Sequence, residues 1–251
     1  MPSIAITDPY CGPAPDPSTL WSRWNFDPPL LVALGLLAVL IFYRSQGKTA
    51  TLSGLTGWLL LFVAFVSPLC ALASALFSAR VLHHVVLVAG AAPLLAVALP
   101  WKTLPVPRLL SPGLILGIHT LLFWFWHSPA AYAFALSSDA AYWLMQASLF
   151  GSALWVWAII LSPHCQAGTA LTLLLGSILQ MGMLAALLTF SRGPLYEAHF
   201  LTTSAFGLTP LQDQQLAGVL MWVPAALPYL IVALMRLRTL LQDEAEGNNA
   251  P

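Results

Sequence analysis

The sequence predicts an all-α integral membrane protein, a bundle of about seven transmembrane helices, and three observations lead there. Hydrophobic residues fill 59% of the 251 positions and charged residues only 7%, against about 25% charged in an average soluble domain. The apolar residues gather into runs near the ~20 residues that a span requires, at 28–43, 52–72, 77–99, 112–126, 140–161, 169–190 and 210–235. Net charge is zero and no basic tract is present. That excludes nucleic acid as a partner and leaves the lipid bilayer as the surface the chain is made for.

Each element has its own signal. Residues 1–27 are Pro-rich and aperiodic, so they read as an extended external tail with Trp21 and Trp24 as interfacial anchors. This tail lacks the basic, apolar and cleavage regions of a signal peptide, so the first helix serves as its own uncleaved signal. The first and fourth runs are short. Few residues join the second and third helices, which makes them antiparallel neighbours. The third helix carries Arg80, His83 and His84, and Pro93 should bend it. The fourth carries His119 and ends at Trp126-His127-Ser128-Pro129, from which Tyr132 can fold back to the same mouth. Ser138 and Asp139 cap the fifth, where Tyr142 and Gln146 share a face. The sixth contains Gln180, Met181 and Met183, whose spacing reads as packing. A loop with a turn at Gly193-Pro194 and carrying Tyr196 and His199 follows.

The seventh helix has the most legible start. Thr209 suits the N-cap, Pro210 the first helical position, and Gln212 completes a capping box. Asp213 and Gln214 fall in or just after its first turn, where an acid is favoured by the helix dipole. Ala217 and Gly218 permit a close neighbour, and Pro224 and Pro228 should bend the helix. The membrane domain then covers 28–238, and a disordered tail covers 239–251 with Asp243, Glu244 and Glu246.

Orientation follows from the basic residues. Arg44, Lys48, Lys102, Arg108, Arg236 and Arg238 fall on one side, and Arg23, Arg80 and Arg192 on the other. The richer side is cytoplasmic, so the N-terminus is outside and the C-terminus cytoplasmic. Asp8, Asp16, Asp27, Asp139, Glu197 and Asp213 are then external, as are His127, His199, Tyr132 and Tyr196. Chemistry therefore faces outward. His84 lies about 10 Å below the start of its helix, and His119 about 12 Å from His127 along the axis. An ionisable group at such depth is a functional candidate by default, beside the alternative of a neutral imidazole bonded to a neighbouring helix. Cys11 and Cys70 share the oxidising side, which permits a disulfide; a buried, inert Cys70 is the reading favoured here. His164 and Cys165, a pair without further donors, read as a solvated cytoplasmic loop. No phosphate loop, no carboxylate pair within a helix and no nucleophile elbow is present, so no enzyme is expected.

Several segments carry a resemblance that spans nearly the whole chain: Trp24-Asn-Phe-Asp-Pro28, Ala92-Pro-Leu-Leu95, Trp126-His-Ser-Pro-Ala-Ala-Tyr132, Pro194-Leu-Tyr-Glu-Ala-His199 and Asp213-Gln-Gln-Leu-Ala-Gly-Val-Leu-Met-Trp222. The last two, in order, are quite specific. The chain resembles the CtaG-type assembly factors of bacterial cytochrome c oxidase, the caa-type oxidase group. The resemblance implies a multi-pass protein of the bacterial inner membrane that helps copper reach the oxidase of the respiratory chain from the periplasmic face. It implies oxidase subunits as partners, together with a periplasmic copper chaperone.

The family's His-Met-x-x-His pattern falls on Arg80 to His84, so only its second histidine is matched, and its His-x-x-x-His pattern falls on Tyr142 and Gln146. Copper(I) accepts His, Met or Cys, and Cys70, His83, His119 and Met221 are the substitutes on offer. The expected metal ligands are His84, His119, His127 and His199. Arg80, His83, Tyr132, Tyr196, Asp213 and Gln214 form a polar rim. Two alternatives remain: a haem-binding cytochrome with His84 and His119 as axial ligands, and a metal-free scaffold or accessory subunit of the oxidase.

Overall fold

The computed structural model describes residues 9–99 and 110–248, with side chains as far as Gln242. Lys102 and Arg108, two of the orienting cations, lie outside the described residues, as do Asp8 and the side chains of Asp243, Glu244 and Glu246. The regular structure of the described residues is helical, its longer elements running in the order α1 (Pro28–Arg44), α2 (Lys48–Val66), α3 (Pro68–Ala75), α4 (Phe77–Val85), a π-helical turn (Val86–Ala91), α5 (Ala92–Ala98), α6 (Pro112–Trp126), α7 (Pro129–Ala135), α8 (Asp139–Ile160), α9 (Ala167–Phe190), α10 (Pro210–Trp222) and α11 (Ala226–Asn248).

Five of these segments are long and apolar enough to cross a membrane: Lys48–Val66, Phe77–Ala98, Asp139–Ile160, Ala167–Phe190 and Pro210–Gln242. The α6–α7 pair, bent by 80°, makes a sixth if counted as one span. The expected first span, α1, is apolar but only 17 residues long and falls short of that length. Large apolar side chains such as Val32, Leu36, Leu121, Leu179 and Leu234 point outward, as lipid-facing positions do.

Departures from the expected elements have local causes. The second helix stops at Val66 rather than Leu72 because Pro68 cannot donate its backbone N–H, and Ser67 caps a new helix by accepting from Leu69 N–H at 3.2 Å. Pro93 is absorbed by the π-helical turn that precedes α5. Trp157 donates its indole N–H to the Val88 carbonyl in that turn at 2.9 Å. Pro224 sits in the break between α10 and α11, whereas Pro228 is carried within α11. The last helix also runs through 239–248, where the sequence reading placed a disordered tail.

Residues 9–27 are packed rather than free. Cys11 and Cys70 form a disulfide, against the preference for an inert Cys70. The Tyr10 ring stacks on Tyr142 with centroids 4.8 Å apart, and its hydroxyl donates to Asp27 at 2.6 Å. Asn25 N–H donates to the Val66 carbonyl at 2.9 Å. These contacts, with those of Asp213 and Tyr196 below, define one end of the bundle, called the upper end. At the opposite end Arg236 donates to the carbonyls of Ile160 and Ser162.

Candidate metal centre

Two polar clamps set the register of three helices at the upper end. Leu76, at the N-cap of α4, has no side chain able to receive the helix's free N–H groups. Asp213, from the first turn of α10, supplies the acceptor. Its carboxylate takes Phe77 N–H at 2.7 Å and Ser78 N–H at 3.1 Å, and also accepts from the Ser78 hydroxyl. Asp213 therefore serves the dipole of a second helix besides its own. Gln214 works sideways. Its amide oxygen accepts from Leu195 N–H at 2.7 Å, and its amide nitrogen donates to the Leu188 carbonyl of α9 at 3.3 Å. Thr209 and Gln212 complete the capping box expected for α10. Below the clamps, α10 lies close on α9 at Gly218, where a Cβ would stand 2.7 Å from the Ala185 carbonyl oxygen.

The clamps bring particular side chains to a common depth. His84 is seven residues below Phe77 and Met221 eight below Asp213, in helices that start from the same end. At 1.5 Å per residue, both lie about 10–12 Å down. Met181 is seven residues below Leu188 in the antiparallel α9, and Met221 seven below Gln214. His84, Met181 and Met221 accordingly meet at one level and line a single small cavity of about 10 Å3, with His127, Phe123 and Val88 among its other walls. About one water-sized atom fits such a space.

His127, not His119, is the ring that meets His84. Their centroids stand 5.4 Å apart with planes at 80°. His127 does not project from an outer mouth: the chain turns sharply after Trp126, and His127 is only 3% exposed. The hydroxyl of Tyr196 donates to its carbonyl at 2.6 Å. Its Nδ1–H donates to the Phe123 carbonyl at 2.7 Å, which leaves Nε2 as an acceptor with no partner. Both ring nitrogens of His84 are likewise buried and unpartnered.

The remaining expected ligands are engaged elsewhere. His119 donates from Nδ1 to Ser152 Oγ at 2.9 Å, and that hydroxyl passes its own hydrogen to the Leu149 carbonyl. His199 Nε2 accepts from the Tyr132 hydroxyl at 2.7 Å. Burial, with the Arg80 charge nearby, pushes the His199 imidazole down to about 4, while the Ala75 carbonyl works the other way. His83 is fully buried with its ring edge-on to Phe65 at 5.0 Å, and neither nitrogen is bonded. Cys70 is consumed by its disulfide. Among the described residues no three of His, Cys, Asp and Glu converge on one point, so the donor set around the cavity mixes imidazole with thioether. Met181 was read as packing from sequence; its companion Met183 points outward, 64% exposed. Burial, which sequence does not give, separates the two.

Arg80 is the other unusual group. It is fully buried; none of its three guanidinium nitrogens reaches full hydrogen-bond geometry, and the hydroxyls of Tyr132 and Tyr142 are the acceptors within its reach. Its guanidinium carbon lies 5.2 Å from the centre of the Tyr142 ring, a cation–π arrangement. Tyr132 and Tyr142 feel its charge, as do His83, His84 and His199.

An all-helical chain with helices fit to cross a membrane, holding unpartnered imidazoles at one end of its core, defines a multi-pass membrane protein with an internal polar site. A family description, cytochrome c oxidase caa3 assembly factor, matches residues 33–243. The chain belongs to that family. No curated protein and no solved structure matches it.

Proposed function

We propose that this chain assists copper insertion into a cytochrome c oxidase, working from the periplasmic face of the bacterial inner membrane and catalysing no reaction of its own. Family membership supports the assembly role. The copper reading rests on one observation: two buried imidazoles, His84 and His127, flank a small cavity with ring nitrogens free. Burying such a group without a partner is costly, and a metal in transit would compensate both. A cavity of about 10 Å3 favours an ion over haem, since sites for cofactor-sized ligands occupy about 300–1,000 Å3. We read α1 as the first of seven spans, with the N-terminus outside. The upper end then faces the periplasm, where a copper chaperone would deliver and an oxidase subunit would receive.

Deleting the gene, isolating the oxidase and measuring its copper and haem separately tests this. A copper-deficient, haem-replete oxidase is the expected outcome. Normal copper with normal activity overturns the proposal, and so does co-purification of the chain with an oxidase whose copper is unaffected by its loss.

A further inference from the structure

Resting on the copper reading above, we infer that the site is a two-histidine, two-methionine centre selective for the cuprous ion, with Met181 and Met221 as ligands beside His84 and His127. All four residues line the same cavity, and each histidine has at least one nitrogen without a partner. The separation of the two rings fits a shared metal. With a metal–nitrogen bond of about 2.0 Å and a ring centre about 1.1 Å behind the nitrogen, two imidazoles at a tetrahedral angle hold their centroids about 5.1 Å apart. The observed separation is 5.4 Å. Met181 and Met221, 3% and 2% exposed, are brought to this level by the Asp213 and Gln214 clamps. No carboxylate and no thiolate lines the cavity.

That donor set is neutral, and neutrality together with the thioethers favours a monovalent, soft guest. The cost of placing an ion in an apolar interior rises with the square of its charge, so a dication costs about four times a monocation of equal size. Carboxylates and thiolates, which offset that cost in many zinc(II) and copper(II) sites, are absent from the lining. Arg80, one helical turn above His84 on α4, is a buried cation with no carboxylate bonded to it, and it raises the cost of a second charge further. Soft thioethers bind copper(I) well and zinc(II) poorly. Four neutral ligands, two of them thioethers, a small space and a nearby fixed positive charge all favour the same ion.

The purified full-length protein in detergent, titrated anaerobically with copper(I) against a chromophoric cuprous chelator, tests the assignment. One copper(I) per chain is expected, undisplaced by a hundredfold excess of zinc(II), with sulfur scatterers in the X-ray absorption spectrum of the bound copper. Met181→Leu and Met221→Leu preserve side-chain volume and should each weaken binding at least tenfold, and the double variant should lose the sulfur signal. Wild-type affinity in the double variant, or a copper shell without sulfur, overturns the methionine assignment. The double variant also separates this inference from the function it rests on. If it restores oxidase copper in a deletion strain whose oxidase lacks copper, the assembly role stands and methionine ligation falls. If the deletion leaves oxidase copper normal, the role itself falls.

Discussion

Asp213 offers the sharpest test of how this fold places its site. Its carboxylate is the acceptor for two backbone N–H groups of α4 and for the Ser78 hydroxyl, all of them buried. Asp213→Ala leaves Phe77 N–H and Ser78 N–H unsatisfied, and each buried orphan donor costs about 1–3 kcal/mol. The Ser78 hydroxyl can turn elsewhere, so the expected loss is about 2–5 kcal/mol. Asp213→Asn keeps one acceptor oxygen and opposes its amide to one N–H, so its loss should be smaller, about 1–3 kcal/mol. Unfolding by SDS titration in mixed micelles reads both, and a double-mutant cycle with Ser78→Ala isolates the shared interaction. The register argument adds a second readout. Releasing α4 from α10 lets His84 and Met221 slide relative to each other, so copper(I) affinity should fall even though neither ligand is touched. An Ala variant as stable as wild type, or one that loses stability while keeping full affinity, refutes the reasoning.

Three further outcomes follow. A Cβ at Gly218 would lie 2.7 Å from the Ala185 carbonyl and 3.0 Å from Thr189 N on α9, both backbone atoms that cannot rotate away. Gly218→Ala should therefore destabilise by about 1–3 kcal/mol in the same titration, and an unchanged midpoint would show that α9 and α10 are not pressed together. His199 is held near 4 when folded against about 6.5 when unfolded. Its contribution is complete above pH 6.5 and is lost as pH falls toward 4, because the unfolded chain takes the proton first; the full loss is about 3 kcal/mol. His199→Gln should flatten the stability profile across that window, and a profile identical to wild type would show that the ring titrates freely. Arg80 keeps no hydrogen bond of full geometry in the core, having only the Tyr132 and Tyr142 hydroxyls within reach, and its ring contact with Tyr142 returns only about 0.5–2 kcal/mol. Arg80→Met should accordingly raise the SDS midpoint and let zinc(II) compete for the copper site; a lowered midpoint would reveal an acceptor for the guanidinium.

Much of the scaffold was legible because its signals are local. The capping box at Thr209, the Ser138 cap and the close approach at Gly218 each depend on a few neighbouring residues or on one small side chain, and each appears where the sequence placed it. The spans were legible from composition, apart from breaks such as the one at Pro68, where a proline and a capping serine outweigh an unbroken apolar run. The site was legible only in part. His84 and His127 stood out as polar residues in an apolar chain, but the pairing of His84 with His119 assumed straight helices starting at the membrane surface. In fact α4 begins at Phe77 already buried beneath other segments, and α6 turns sharply at its end, so that His127 and not His119 reaches the level of His84.

The assignment of Asp213 shows where local reading must fail. From its own helix it is an acid in a first turn, and that description is true. It cannot reveal that the same carboxylate completes the start of α4, more than a hundred residues earlier, because the missing cap at Leu76 and the spare acceptor at Asp213 become complementary only when α4 and α10 pack. The same holds for Met181 and Met221. A methionine in a helix is a packing residue until the register between helices puts its sulfur against imidazoles with free nitrogens, and here that register is set by polar groups two turns above. The proposed ligands are therefore encoded less by their own sequence neighbourhood than by Asp213 and Gln214, which lie outside the cavity lining. Substitutions at the clamps should disturb copper handling as surely as substitutions at the cavity itself.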